Sequence, residues 1–256
     1  MRARVLTALV GIPFVVGIVV ADRVWLFTLF VEALALVALC EYFRMAFPAH
    51  RGVRLTGVAA GMLFSLTLAA PGLSSLLPLI VALLFAAFVF VGGAAEERYR
   101  HLGLALAGAF YLGYLFPHFI VLYRGGYEWV LWVLIVVFCS DSAAYFAGVA
   151  VGRRKLYPSI SPGKTVEGAI AATVAGALAG WVSGAWLLAL PLAHLLWLSP
   201  AIAVIAQVGD LFESLIKRGF AAKDSGGILP GHGGLMDRLD SLVFPGVVST
   251  YCLRLL

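Results

Sequence analysis

The chain has 256 residues, 62% hydrophobic and 12% charged, with a formal net charge of +5. A mean hydropathy of +1.02 excludes a soluble globular domain. Long unbroken apolar runs, in place of ten-residue alternation, exclude a membrane β-barrel and leave an all-α polytopic membrane protein, whose helices satisfy their own backbone in lipid.

A helical span needs ~20 mostly apolar residues. Hydropathy places about nine of them, over 5–20, 24–43, 53–70, 72–91, 102–123, 128–151, 167–190, 192–218 and 239–256. The first, "MRARVLTALVGIPFVVGIVVADR", starts like a secretory leader but lacks a small-x-small cleavage signal, so it is read as a transmembrane helix. In the second span Glu41 is expected at the membrane interface, and Glu32 is placed to bond a neighbouring helix. "GVAAG" at Gly57 to Gly61 is a weak small-residue motif. The seventh span has a stronger one: Gly168, Ala172, Gly176, Gly180 and Gly184 recur every fourth residue and draw a groove for close helix approach. That groove suits packing within one subunit or a dimer seam. Pro200 interrupts the eighth span, which is open between one continuous helix and a short re-entrant piece followed by a helix. Cys40, Cys139 and Cys252 lie in apolar runs and read as small packed hydrophobes. No linker marks a second domain. A single membrane domain, 1–256, is expected, with N-terminal helices in 1–125 and catalytic helices and loops in 126–256.

Positive charge tests this topology. With nine spans, only Arg23, Arg124 and Arg254 of the 18 Lys and Arg fall on the side opposite the N-terminus. So steep a bias sets the N-terminus inside and the C-terminus outside.

The polar chemistry concentrates late in the chain. Asp141, in "CSDSAAYFAG", has Ser140 and Ser142 beside it and shares a helical face with Tyr145. It is either a buried Asp bonded to serines or a functional acid. In "QVGDLFESLIKR", Asp210, Glu213, Ser214 and Lys217 share a face, and Asp210 lies ~12 Å below Arg218 at the cytoplasmic end. Then "SLIKRGFAAKDSGGILPGHGGLMDRLDS", from Ser214 to Ser241, breaks the apolar pattern. It reads as a solvated loop, an ion pathway or an anionic-ligand site. Asp224, Asp237 and Asp240 come from it, the last two at i, i+3 spacing. Carboxylates from separate segments suit a hard cation such as Mg²⁺, and no His/Cys set suggests zinc. Lys164, Lys217, Arg218, Lys223 and Arg238 flank the acids, and glycines permit an anion nest, so the combination suits a polyphosphate. "PGKT" around Lys164 is not a P-loop: Pro158 stands where the first glycine belongs, and no strand is expected before it. His232, in "PGHGG", is open between general base, phosphate donor and loop residue.

This stretch resembles the signature of the phosphatidate cytidylyltransferases, also called CDP-diacylglycerol synthases. Its fixed positions are met by Ser214, Lys217, Arg218, Lys223, Asp224, Gly226, Pro230, His232, Gly233, Gly234, Asp237, Arg238 and Asp240. "DSAAYFAG" and "KLYPSISPGKTVEG" also look like the family, in the right order. Two departures are visible: Val149-Ala150-Val151 after Gly148, where a basic residue and an aromatic are frequent, and Val166 in place of a frequent Trp. The resemblance implies Mg²⁺-dependent attack of phosphatidic acid on the α-phosphorus of CTP. It implies Asp210 and Asp237 as metal ligands, with Asp141 and Asp240 as catalytic support. The metal would be one or two Mg²⁺, or Mg²⁺ with a monovalent cation. Substrate binding would fall to Lys164, Ser214, Lys217, Arg218, Lys223, Asp224, His232, Gly233, Gly234 and Arg238. The expected setting is a multi-pass homodimer in the cell inner (cytoplasmic) membrane, its active site facing the cytoplasm, with CTP and phosphatidic acid as partners and no nucleic acid.

Two other functions are weighed. A CTP-dependent lipid or polyprenol kinase would release CDP instead of pyrophosphate. An ion or phosphate transporter would carry its charges near the midplane between internal repeats, whereas these charges lean to one face.

Overall fold

The apolar runs fold as helices close to the expected bounds. A computed structural model describes residues 2–227 and 233–256, with side chains described from residue 11 onward. The helices are α1 (Arg2–Val20), α2 (Val24–Ala46), α3 (Arg51–Ala69), α4 (Leu77–Val89), α5 (Ala95–Phe110), α6 (His118–Arg124), α7 (Tyr127–Val151), α8 (Val166–Leu187), α9 (Leu192–Gly219) and α10 (Met236–Leu255). A 3₁₀ turn, Pro71–Leu76, leads into α4, and a π turn, Tyr111–Leu115, follows α5. Among the described residues, seven stretches are long and apolar enough to cross a membrane: Val24–Ala46, Arg51–Ala69, Pro71–Val89, Ala95–Arg124, Tyr127–Val151, Val166–Leu187 and Leu192–Gly219.

The chain forms two compact units. The first comprises Met1–Ile18, Arg23–Val121 and Asp224–Arg238; the second comprises Val19–Asp22, Leu122–Lys223 and Leu239–Leu256. In the first, α2 buries Phe27, Val31, Ala35, Ala38, Leu39 and Phe43. Gly57 and Gly61 of α3 lie against Phe43 and Leu39, where a Cβ would overlap the side chains, and the Gly61 backbone also meets Gly113 in the π turn. Tyr42 Oη donates to the Leu104 carbonyl at 2.9 Å, and Ser65 Oγ donates to Glu32 Oε1 at 2.7 Å. The helix partner expected for Glu32 is therefore Ser65 of α3.

In the second unit the small-residue groove of α8 is filled from within the chain. Gly176 faces Ala203 and Ser140, Gly180 faces Ser199, and Gly184 faces Leu195 and Trp132. Trp132 Nε1 donates to the Gly180 carbonyl at 2.9 Å. Close approach of this kind is what small residues on a membrane helix permit. Here α7 and α9 make that approach, which decides for subunit packing over a dimer seam at this face.

One open question is answered and one expectation is corrected. The eighth span does not split at Pro200; α9 runs unbroken from Leu192 to Gly219 with Pro200 inside it. The proline removes one backbone donor, yet Leu198, Ser199 and Ile202 around it are fully buried, and such packing holds a proline-bearing membrane helix together. A strand does precede Lys164. Residues Lys155–Tyr157 (β1) and Ser161–Thr165 (β2) form an antiparallel hairpin, with Lys155 opposite Thr165 and Tyr157 opposite Ser161. Lys164 lies within β2, not in a glycine-rich loop after a strand, so the P-loop remains excluded.

Candidate functional site

The polar residues singled out by sequence fall into two groups, one in each unit. In the second unit, α7, α9 and α10 contribute Asp141, Asp210 and Asp240. These carboxylates act on one another electrostatically: Asp141 feels the charges of Asp210 and Lys164, and Asp240 feels those of Asp210, Asp141 and Lys217. Lys164 Nζ lies 2.8 Å from Asp210 Oδ2. Lys217 Nζ lies 2.7 Å from Oε2 of Glu213, a fully buried acid one turn before it on α9. Ser241 joins the group twice. Its Oγ donates to Asp141 Oδ2 at 3.0 Å, and its N–H donates to Asp240 Oδ1 at 2.7 Å. The serine partner of Asp141 is thus distant in sequence, not the adjacent Ser140 or Ser142.

Local folding explains why these groups meet. Thr165 caps α8, its Oγ1 accepting from the Gly168 N–H at 3.1 Å. Glu167 accepts from the N–H groups of Arg153 and Arg154, and the Val166 N–H bonds the Arg154 carbonyl. The hairpin is therefore locked to the start of α8, and that fixes the base of the Lys164 side chain. Arg218 ties the hairpin to the end of α9: Nε donates to the Ile160 carbonyl and a terminal nitrogen to that of Ala222, both at 3.2 Å. Gly209 lets α10 come close, since a Cβ there would overlap the Asp240 carbonyl. Ser214 is half-buried on α9, and Lys223 is exposed beyond its end.

The second group lies in the first unit and centres on Glu41, which sequence reasoning put at the membrane interface. It is 2% exposed. Glu41 Oε1 accepts from the Leu235 N–H at 3.0 Å, and Oε2 accepts from the Met236 N–H at 2.8 Å and Ser225 Oγ at 3.2 Å. Leu235 and Met236 open α10, so a carboxylate from another helix satisfies N–H groups that the helix itself cannot. Asp237 works alongside it, accepting from the N–H groups of Ser225 at 3.1 Å and Gly234 at 2.8 Å. The glycines follow from this clamp. Gly233 has φ +79 and its Cβ would overlap Asp237 Oδ2; a Cβ on Gly234 or Gly226 would overlap the Glu41 carboxylate. Asp224 and Arg238 are exposed. His232 lies outside the described residues. Only an acid at the end of an apolar helix hinted at Glu41 in the sequence, and nothing there indicated its partners.

Chemically, the Asp141, Asp210 and Asp240 group offers oxygen ligands of the kind that hold a hard divalent cation, with lysines beside them for anionic oxygens.

Comparison with known proteins agrees with this chemistry. The chain is 34% identical to the phosphatidate cytidylyltransferase of Bacillus subtilis (strain 168), over 95% of this chain and 94% of that protein. It is 31% identical to those of Staphylococcus haemolyticus (strain JCSC1435) and Staphylococcus aureus (strain COL), each over 95% of both chains. The Cytidylyltransferase family matches residues 2–256. The chain belongs to the cytidylyltransferase family.

Proposed function

We propose that the chain transfers the cytidylyl group of CTP to phosphatidic acid, giving CDP-diacylglycerol and pyrophosphate. The observation that carries this reading is the convergence of Asp141, Asp210 and Asp240 with Lys164 in the second unit, within a chain of this family. A lipid phosphate oxygen forms the new bond to the α-phosphorus, and the bond to the bridging oxygen breaks, its electron pair leaving with pyrophosphate. The nucleophile is already anionic, so no serine or cysteine nucleophile is needed. The chain's task is to hold two mutually repelling anions in line. Lys164 and Lys217 are the cations nearest the acids and would neutralise phosphate oxygens. Ser214, Arg218, Lys223, Asp224, Arg238 and the Gly233–Gly234 turn are the other substrate-binding residues proposed.

The residues fit Mg²⁺. Asp141, Asp210 and Asp240 crowd like charge together when ionised, with Lys164 ion-paired to Asp210. Charges taken out of water need compensation, and one divalent cation supplies it. Asp210, with Asp141 and Asp240 beside it, would hold the ion. Bound there, Mg²⁺ would act as a Lewis acid on phosphoryl oxygens. Asp237, the other ligand assigned from the sequence, accepts two backbone N–H bonds in the first unit. Its role is tested separately.

The charge bias supports a nine-span topology with the N-terminus and the site on the cytoplasmic side of the inner membrane. A homodimer would use a surface other than the α8 groove.

The test is purified protein with CTP, phosphatidic acid and Mg²⁺, following CDP-lipid and pyrophosphate. Asp210→Asn is expected to lose about 10³-fold in turnover while remaining folded, and Asp237→Asn to lose nearly all turnover. Release of CDP with a phosphorylated lipid would replace this reading by a kinase. Wild-type turnover in Asp210→Asn would remove the metal assignment.

A further inference from the structure

A second cluster of titratable side chains lies in the first unit and takes no part in the chemistry above. His50, just before α3, and Glu97 and His101, one turn apart on α5, turn towards one another. His50 Nε2 lies 3.9 Å and His101 Nε2 3.8 Å from the same oxygen, Glu97 Oε1. One donor atom from each residue lies within 4.8 Å of the other two. The two rings have centroids 4.9 Å apart, and buried Phe47 stands edge-on to His101 at 5.2 Å.

His101 makes this more than a surface ion pair. It is 5% exposed, and its Nδ1 is buried without a hydrogen-bond partner. The nearest carboxylate oxygen to Nε2, at 3.8 Å, is too far for a hydrogen bond. Among the described residues Nε2, the ring atom that faces Glu97, makes no hydrogen bond and is the atom a ligand would meet. The donor spacing indicates what that ligand is. Two ligands at ~2.0–2.1 Å from a tetrahedral ion stand ~3.3–3.4 Å apart. The two Glu97 pairs are about half an ångström wider, a gap that small side-chain rotations close. The backbone around His50 is already fixed: its N–H bonds the Phe47 carbonyl and its carbonyl accepts from Arg54. Glu97 and His101 at i, i+4 share a helix face, the spacing by which helices pair metal ligands.

We propose that His50, Glu97 and His101 bind a transition-metal dication of the Zn²⁺ class, with water at the fourth position. Two imidazoles and one carboxylate select such an ion over Mg²⁺ or Ca²⁺, which take all-oxygen shells. The ion clips the turn between α2 and α3 to the first turns of α5. It is separate from the acids of the second unit and independent of the reaction proposed for them.

Zn²⁺ titration of the purified full chain, prepared without a polyhistidine tag and stripped with chelator, tests this. One Zn²⁺ per chain is expected, with a Kd below about 1 µM, unaffected by millimolar Mg²⁺, and Zn²⁺ raises the unfolding midpoint. His50→Ala and Glu97→Gln alter exposed or half-buried positions, so both variants are expected to fold. Altering groups that merely support a ligand already weakens binding 10–100-fold, so each variant is expected to weaken Zn²⁺ binding at least about 100-fold and to lose the midpoint shift. Asp210→Asn is expected to bind Zn²⁺ like the wild type. Absence of any Zn²⁺ binding tighter than about 10 µM, or wild-type affinity in both His50→Ala and Glu97→Gln, overturns the proposal.

Discussion

The two polar groups use the same residue types and solve opposite problems. In the first unit, Glu41 and Asp237 accept backbone N–H groups from the segment around Ser225 and the start of α10. Glu41 is thereby tied to the start of α10, and Asp237 accepts two N–H bonds beside it. In the second unit, Asp141, Asp210 and Asp240 face one another and two lysines, with Ser241 donating hydrogen bonds to Asp141 and Asp240. Crowded like charges are unfavourable unless a cation joins them. The difference teaches that hydrogen-bond partners, more than burial, separate a structural acid from a ligand-binding one.

That contrast can be broken by substitution. Beside Asp237→Asn, the large effects on turnover are expected from the crowded group. Asp240→Asn and Asp141→Asn should each lower CDP-lipid formation by about 10²- to 10³-fold. Their unfolding midpoint in detergent should hold or rise, because one of several repelling charges is gone. A fall in midpoint as large as that of a Glu41 variant would erase the distinction between the two groups.

Glu41→Ala should act the other way round. It leaves the N–H groups of Leu235 and Met236, at the start of α10, and Ser225 Oγ without their acceptor, a loss of about 2–4 kcal/mol in stability. Turnover would fall through disorder of the signature loop, and Glu41→Gln should restore part of both. Thermal unfolding beside the product assay separates the two variants.

Gly233→Ala comes next, at about 1–2 kcal/mol, because φ +79 disfavours a Cβ and Asp237 occupies its space. Protease susceptibility of the loop reads this out. Arg218→Lys is expected to be smallest, within about 1 kcal/mol. Lysine can replace one of the exposed backbone bonds to Ile160 and Ala222 but not both. A raised KM for CTP with unchanged kcat would assign Arg218 to ground-state binding, and a fallen kcat would assign it to the reaction itself.

Much of this was legible along the chain. Hydropathy located helices within a few residues because a membrane helix is a local object: its length and composition are written in one continuous run. Asp141 and Asp210 stood out because charges inside apolar runs are conspicuous, and Asp240 because it closes the one long polar stretch. Pro200 left the continuity of α9 open, since a proline predicts a break only where neighbouring packing does not hold the helix. The hairpin carrying Lys164 was missed because its strands are three and five residues long, too short for a periodic signal. The partners of Glu41 were not legible because they lie 184 to 195 positions away.

The sequence by itself therefore determined the class of protein, the helical runs, the charge bias and the polar stretch whose acids, bases and glycines suit a polyphosphate. Each depends on composition or short spacing. Tertiary structure alone decided which acids stand together, that the α8 groove is filled by α7 and α9, that Glu41 clamps the start of α10, and that His50 meets Glu97 and His101. Those are contacts between residues far apart in the chain, and no local pattern encodes which distant donor a given carboxylate will find.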